Sequence, residues 1–451
     1  MTTVRPDRSP VFHRELDRQF PVMVRAEGYR VYDDEGREYL DAVGGGAAVV
    51  NVGYRIPEII DAVRRQVEVL PFVHNQKFTN PLQEQLAQAV LDHSPDYAKV
   101  IFCQGGGEAN ETALRLVRSF HADRGDEQRW RVISVAQAYH GSTMATLALT
   151  DRPASLTHPY EPYLPDFLHI PPADPRTDPD GSRALGMLEE AIKKAGPQTV
   201  AAYWCEPVSA AAAPALRPPD SFYAGLARLA HRHGFLVVFD EVVTGIGRTG
   251  TFFAADQMPI VPDIITTAKG LGGGYLPMGA VLTTQRIYDA IAEGSRDFSH
   301  GYTFNGYPLG CAVGLAILRY LDQHKLIERV AEKGPPFLDV LRANLEDCPF
   351  VDEVRGQGFL FGITYKNEAG NFLDRSLRLA RRIDVAALSE SLLTYSTQPT
   401  ADRYMGDQTM LAPSFETTDH DFEDIAGRLR RAILKVASHI KEGKPLELVL
   451  G

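Results

Sequence analysis

From Asn80 to Thr284 the chain alternates between two hydrophobic patterns. KVIFCQ, RVISVA, TVAAYWCE, FLVVFD, DIITTA and GAVLTT are short apolar runs of strand character. Between them, LQEQLAQAVLDHS, a segment from Ala109, LGMLEEAIKKAG and FYAGLARLAHRHG repeat apolar positions at helical spacing. Such alternation predicts an α/β fold with a mostly parallel, doubly wound sheet. Phe235 to Phe239 is apolar at every position, as expected of a strand buried on both faces.

The flanks read differently. Alternating residues around Tyr29–Tyr32 and Tyr39–Leu40 bracket the turn Asp33 to Gly36, which predicts a β-hairpin. Pro57 then opens an amphipathic helix. After Gly306 a helix, PLGCAVGLAILRYLDQH, leads to further helices around Val330–Asn344 and Ser376–Leu393 and to strand-like FLFGITY. The C-terminal flank, residues 326–451, reads as part of a smaller α/β domain beside a large domain of residues 58–325. The chain has no internal repeat or low-complexity tract.

Candidate chemistry sits where the strands end. The Phe235 run closes on Asp240 and Glu241, and Ile264–Thr267 is followed by Ala268, Lys269 and the glycines Gly270, Gly272, Gly273 and Gly274. Ligands of open α/β sheets bind beyond the carboxyl ends of the strands, so Asp240 and Lys269 are expected to face one pocket. FCQGGGEANETALRLVR joins a strand to a helix through three glycines. The unpaired N–H groups and positive dipole end at such a start suit a phosphate, with Gly106 and Gly107 as the contacts. Taken singly, each feature also has a plainer reading, as a solvated strand-end lysine or an ordinary tight turn.

The two segments FDEVVTGIGRTG and PDIITTAKGLGGGYLPMGAVL together closely resemble the signature of the class III aminotransferases, pyridoxal-phosphate enzymes of fold type I. The resemblance implies that Lys269 forms a Schiff base with pyridoxal 5'-phosphate and that Asp240 pairs with its pyridine nitrogen. Physical chemistry agrees. An aldehyde cofactor needs an amine nucleophile of depressed pKa, and a ring that acts as an electron sink needs a carboxylate opposite its protonated nitrogen.

GEANETALRLVR is similar to the family's phosphate-loop helix, although relatives carry hydroxyl residues where this chain has Gly105 and Gly107. That departure implies a phosphate held by backbone alone on this side. By the same resemblance residues 1–57 belong with residues 326–451 to the small domain, Tyr139 stacks on the ring, Val242 covers its other face, and His140 and Glu206 support the site from behind. Thr303, in SHGYTFNGYPLGCA, matches a threonine that reaches the phosphate of a neighbouring subunit, which implies a homodimer with shared active sites. Arg403 falls near a mobile arginine that binds substrate carboxylates in relatives. Ala48 replaces a large aromatic and hints at a roomier substrate pocket, and Ser209 stands where the branch handling glutamate and 4-aminobutyrate has a further Glu.

The totals narrow the partners. A net charge of −11 over 451 residues argues against nucleic acid or an anionic membrane surface. Four scattered cysteines match neither a metal site nor a disulfide framework, and the start lacks a secretory apolar region, so a reducing cytoplasm is expected. The expected reaction moves an amino group from an amine or omega-amino acid to a 2-oxo acid, aldehyde or ketone by a ping-pong route. Racemase, aminomutase or decarboxylase activity would use the same Lys and Asp. A nucleotide-dependent oxidoreductase is disfavoured, because QGGGEAN lacks the spacing G-x-G-x-x-G.

Overall fold

The computed structural model describes residues 3–16, 19–150, 158–398 and 406–443. At its centre a seven-stranded sheet runs in the order Lys99–Cys103, Gly279–Thr283, Ile264–Thr267, Leu236–Asp240, Val200–Cys205, Arg131–Val135 and Leu168–Ile170. Gly279–Thr283 is antiparallel to both its neighbours, and the other six strands share one direction. The expected mostly parallel sheet is therefore present. Leu236–Asp240 and Val200–Cys205 are buried at every residue, as the unbroken apolar runs require.

Register brings the charged strand ends together. Asp240 pairs with Thr266 of the neighbouring parallel strand, so Lys269 lies three residues past a position directly beside Asp240. The strand before it is fed by the helix Asp220–His233, which stops at Gly234 in a left-handed conformation (φ 73°). The helix after the glycine triplet begins at Gly106 and runs to Asp123, three residues earlier than the apolar periodicity alone indicates. Glycine's poor helix propensity hides this first turn from a pattern reading.

Two four-stranded sheets flank this core. Met23–Glu27, Arg30–Asp33 and Glu38–Asp41 form an antiparallel set that contains the expected hairpin, and Leu392–Leu393 adds to it in parallel beside Glu38–Asp41. A strand from late in the chain thus completes a sheet begun at its start. The other sheet is antiparallel throughout, in the order Val351–Gln357, Leu360–Tyr365, Gln408–Leu411 and Tyr395–Thr397. The two termini are also tied by side chains: Arg30 Nη2 reaches Asp421 Oδ1 of the helix Asp419–Lys441 at 2.7 Å, and the Tyr29 hydroxyl donates to the same carboxylate. The helix expected over Ser376–Leu393 is shorter, Leu379–Ser389, because the chain turns at Ser391 (φ 58°) into the strand that joins the N-terminal sheet.

No helix among the described residues is long and apolar enough to cross a membrane. All four cysteines are buried and unpaired.

Candidate active site

Asp240 ends its strand almost fully buried, at 3% exposure. Its Oδ2 accepts from Asn110 Nδ2 at 2.7 Å and from His140 Nδ1 at 2.8 Å, and its Oδ1 accepts from the Val242 N–H at 3.0 Å. An ionised carboxylate only accepts, so the geometry assigns the proton of this contact to His140 Nδ1. Asn110 is itself fixed, donating to the His140 carbonyl at 2.7 Å and accepting from Thr266 Oγ1 at 2.7 Å. Helix, adjacent strand and the Tyr139–Gly141 turn therefore converge on one carboxylate.

Lys269 begins a short 3-10 turn, Lys269–Leu271, and itself adopts a left-handed backbone (φ 37°). The turn is held by Asn51 Nδ2, which donates to the Gly270 carbonyl at 3.2 Å. Burial pushes the Lys269 amine below its usual pKa, and the nearby Asp240 and Glu206 carboxyls pull against that shift. A less protonated amine is a better nucleophile near neutral pH. Glu206 is pushed the other way, up to about 7, chiefly by burial, with His140 opposing the rise. It accepts the N–H groups of Tyr139 (3.2 Å) and Ala210 (3.1 Å) and the Ser209 hydroxyl (3.4 Å). Glu206 thus sets the position of the Tyr139 backbone.

The cleft is also lined by the start of the helix Gly106–Asp123. Ala109 makes the first helical hydrogen bond, to the Gly105 carbonyl, which leaves the N–H groups of the first turn outside the ladder, and no side chain caps them among the described residues. Gly106 is required by contact: a Cβ there would lie 2.8 Å from both γ-carbons of Val242. Gly107 is not, since a Cβ would meet only Thr143 Cγ2, at 3.7 Å.

These groups line a single cleft of about 340 Å3. Gly106, Gly107, Tyr139, His140, Glu206, Asp240, Val242 and Lys269 are all among its lining residues. Thr303 is exposed and lies outside this lining. Ala48 is buried at 3% exposure with φ 56°, and its neighbour Val49 is the residue of that turn that lines the cleft. Arg403 lies outside the described residues. Several cleft residues escaped the sequence reading, Asn110, Gln104 and Ser142 among them. Asn110 had a usable signal: it stands four residues after Gly106, on the same helix face, inside the motif GEANETA.

The donor set fits pyridoxal phosphate. An uncapped helix start, kept close to Val242 by the missing Cβ of Gly106, suits a phosphate. A buried amine suits an aldehyde, and an immobilised carboxylate suits a protonated pyridine nitrogen. A mostly parallel α/β sheet with that set at its strand ends defines a pyridoxal-phosphate enzyme of fold type I.

Comparisons with known proteins narrow the class. The profile of the class-III aminotransferases matches residues 11–433. The chain is 35% identical to a probable aminotransferase of Mycobacterium tuberculosis, over 92% of this chain and 90% of that protein. It is 36% identical to the putrescine–pyruvate aminotransferase of Pseudomonas aeruginosa, over 75% of each. Among solved structures it resembles the PLP-bound form of an amine transaminase from an uncultivated Pseudomonas species, with a TM-score of 0.85 and 29% identity over 92% of this chain and 95% of that one. The chain belongs to the class III aminotransferases, and it is a pyridoxal-phosphate-dependent aminotransferase.

Proposed function

We propose that this aminotransferase takes amino groups from primary amines or omega-amino acids and passes them to 2-oxo acids, with Lys269 and Asp240 as its catalytic residues. The observation that carries the assignment is the meeting of Lys269, Asp240 and the Gly106 helix start in one cleft. The donor class is supported by the likeness to a putrescine–pyruvate aminotransferase and to an amine transaminase.

Bound pyridoxal phosphate supplies an electron sink for the pair released when the substrate C–H bond breaks. The chain's own residues do the rest. Lys269 Nζ would hold the cofactor at rest and, once displaced, would carry the proton from the substrate's amine-bearing carbon to the cofactor within the same half-reaction, and in the opposite direction with the acceptor in the second. Asp240 keeps the ring nitrogen protonated, and Asn110 and His140 stop that carboxylate from turning away. The first-turn N–H groups at Gly106 and Gly107 bind the phosphate. Tyr139 and Val242 cover the two ring faces and exclude water, with Tyr139 steadied by Glu206.

The same reading extends to the assembly. Thr303, exposed here, serves the phosphate of a partner subunit in a homodimer with shared sites, and Arg403 meets the carboxylate of the acceptor. The boundaries near residues 57 and 325 separate the small and large domains, and four unpaired thiols accord with a reducing cytoplasm.

A panel of amines and omega-amino acids, each offered with pyruvate, tests the proposal. Aminated product should form, double-reciprocal lines should be parallel, and Lys269→Ala should abolish turnover. Racemisation or decarboxylation of a lone amino acid, without any acceptor, would overturn it.

A further inference from the structure

Gln104, beside the helix start, brings to the cleft a side-chain donor that neither the family resemblance nor the helix start accounts for. We propose that the Gln104 carboxamide binds the cofactor phosphate and takes over from the hydroxyls absent at Gly105 and Gly107. This rests on reading the cleft as the pyridoxal-phosphate site.

Gln104 stands between the strand Lys99–Cys103 and the helix that begins at Gly106, and it lines the cleft. Its backbone N–H donates to Glu108 Oε2 at 2.8 Å, which fixes the main chain from which the side chain projects. The Nε2 atom is shut off from water and has no hydrogen-bond partner among the described residues. Buried amide donors are almost always paired, because an unpaired one forfeits its hydration without return. Nε2 does not face the open cleft as the side chain stands, and it gains an acceptor if the amide turns toward an anion bound there. Glutamine's terminal torsion is soft, so the amide can turn its N–H groups to that anion without moving the backbone.

The surroundings leave this job to Gln104. A Cβ on Gly105 would meet nothing within 4 Å, and one on Gly107 only Thr143 Cγ2, so the space usually filled by two hydroxyl side chains is open to a longer neighbour. The hydroxyl of Thr143 is already committed, to Glu111 Oε1 at 2.5 Å and to Thr146 Oγ1 at 2.7 Å. A neutral amide donating to a doubly charged phosphate makes a charge-assisted hydrogen bond of the stronger kind.

The test compares two probes on apo-protein: pyridoxal phosphate and pyridoxal, which lacks the phosphate. Gln104→Ala should weaken pyridoxal phosphate by about 10- to 100-fold and leave pyridoxal affinity unchanged. Gln104→Glu, which keeps the shape and adds a repelling charge, should weaken pyridoxal phosphate at least as much. Adding Gly107→Ser to Gln104→Ala should recover part of the loss. Equal affinity of wild type and Gln104→Ala for pyridoxal phosphate would overturn the proposal, as would a parallel loss for both probes, which marks a packing role. A wild-type protein that binds and turns over with pyridoxal phosphate while Gln104→Ala behaves identically defeats this inference alone; a wild-type protein that takes up neither probe defeats the reading of the cleft as well.

Discussion

His140 Nδ1 and Asp240 Oδ2 lie 2.8 Å apart, with both side chains withdrawn from solvent. Asn110 adds a second donor to the same oxygen at 2.7 Å. The carboxylate is therefore held in a single orientation by groups from a helix and a loop, and only its charge remains to act on a ligand in the cleft.

Asp240→Asn keeps the shape and removes the charge. Turnover should fall by about 10²- to 10³-fold, the usual cost of losing one preorganised electrostatic partner. Steady-state kinetics checks this, with circular dichroism to confirm that the fold is intact. A loss below tenfold would mean that the charge of Asp240 is not what sustains the reaction.

Gly106 and Gly107, proposed above as phosphate contacts, should respond in opposite ways. Gly106→Ala drives a methyl into Val242 and should cost about 1–3 kcal/mol of stability together with cofactor retention on dialysis. Gly107→Ser meets only ordinary contact and offers a hydroxyl, so it should slow the loss of cofactor. Thermal denaturation and the absorbance of dialysed protein distinguish the two.

Glu241 gives the pH dependence of stability a direction. It is buried, accepts the N–H groups of Ala254 (2.7 Å) and Ala255 (2.8 Å) and the Thr244 hydroxyl (2.8 Å), and burial raises its pKa from 4.5 to about 7. Folding thus favours its protonated form. Its contribution is complete below pH 4.5 and is lost as pH rises to about 7. Denaturant midpoints should decline across that window, and Glu241→Gln should flatten the decline. An unchanged slope in the variant would remove Glu241 as its source.

Arg248 is the largest cation in the core, at 2% exposure. It donates to the carbonyls of Phe359 (3.1 Å) and Pro413 (2.5 Å) and stacks over Phe415 with 4.6 Å between guanidinium carbon and ring centroid. The loop after Asp240 is tied in this way to the C-terminal part of the chain. Arg248→Leu leaves two buried carbonyls unpaired and should destabilise by about 2–5 kcal/mol, read as a lowered midpoint of urea unfolding.

Much of this was legible in the residues themselves. Periodicity found the sheet because Val200–Cys205 and Leu236–Phe239 are buried on both faces and so read as unbroken apolar runs. Local motifs pointed to Asp240, Lys269, Gly106 and Tyr139, which line one cleft, because each sits near a strand end or helix start, where sequence and geometry are tightly linked. Pairings distant in sequence were not legible. Leu392–Leu393 joins a sheet some 350 residues upstream, and nothing in two leucines announces it. The antiparallel direction of Gly279–Thr283 was equally hidden, since a buried strand reads the same either way. Asn110 has a local signal in GEANETA, but its pairing with Asp240, 130 residues on, is set only by the fold.

The central claim is that Lys269 is the amine that holds the cofactor. Borohydride reduction of the protein with bound pyridoxal phosphate, followed by digestion and mass spectrometry, tests it most directly. The cofactor mass should appear on the peptide containing Lys269 and nowhere else. A label on any other lysine, or none at all in protein that has turned over an amine donor, would contradict the account.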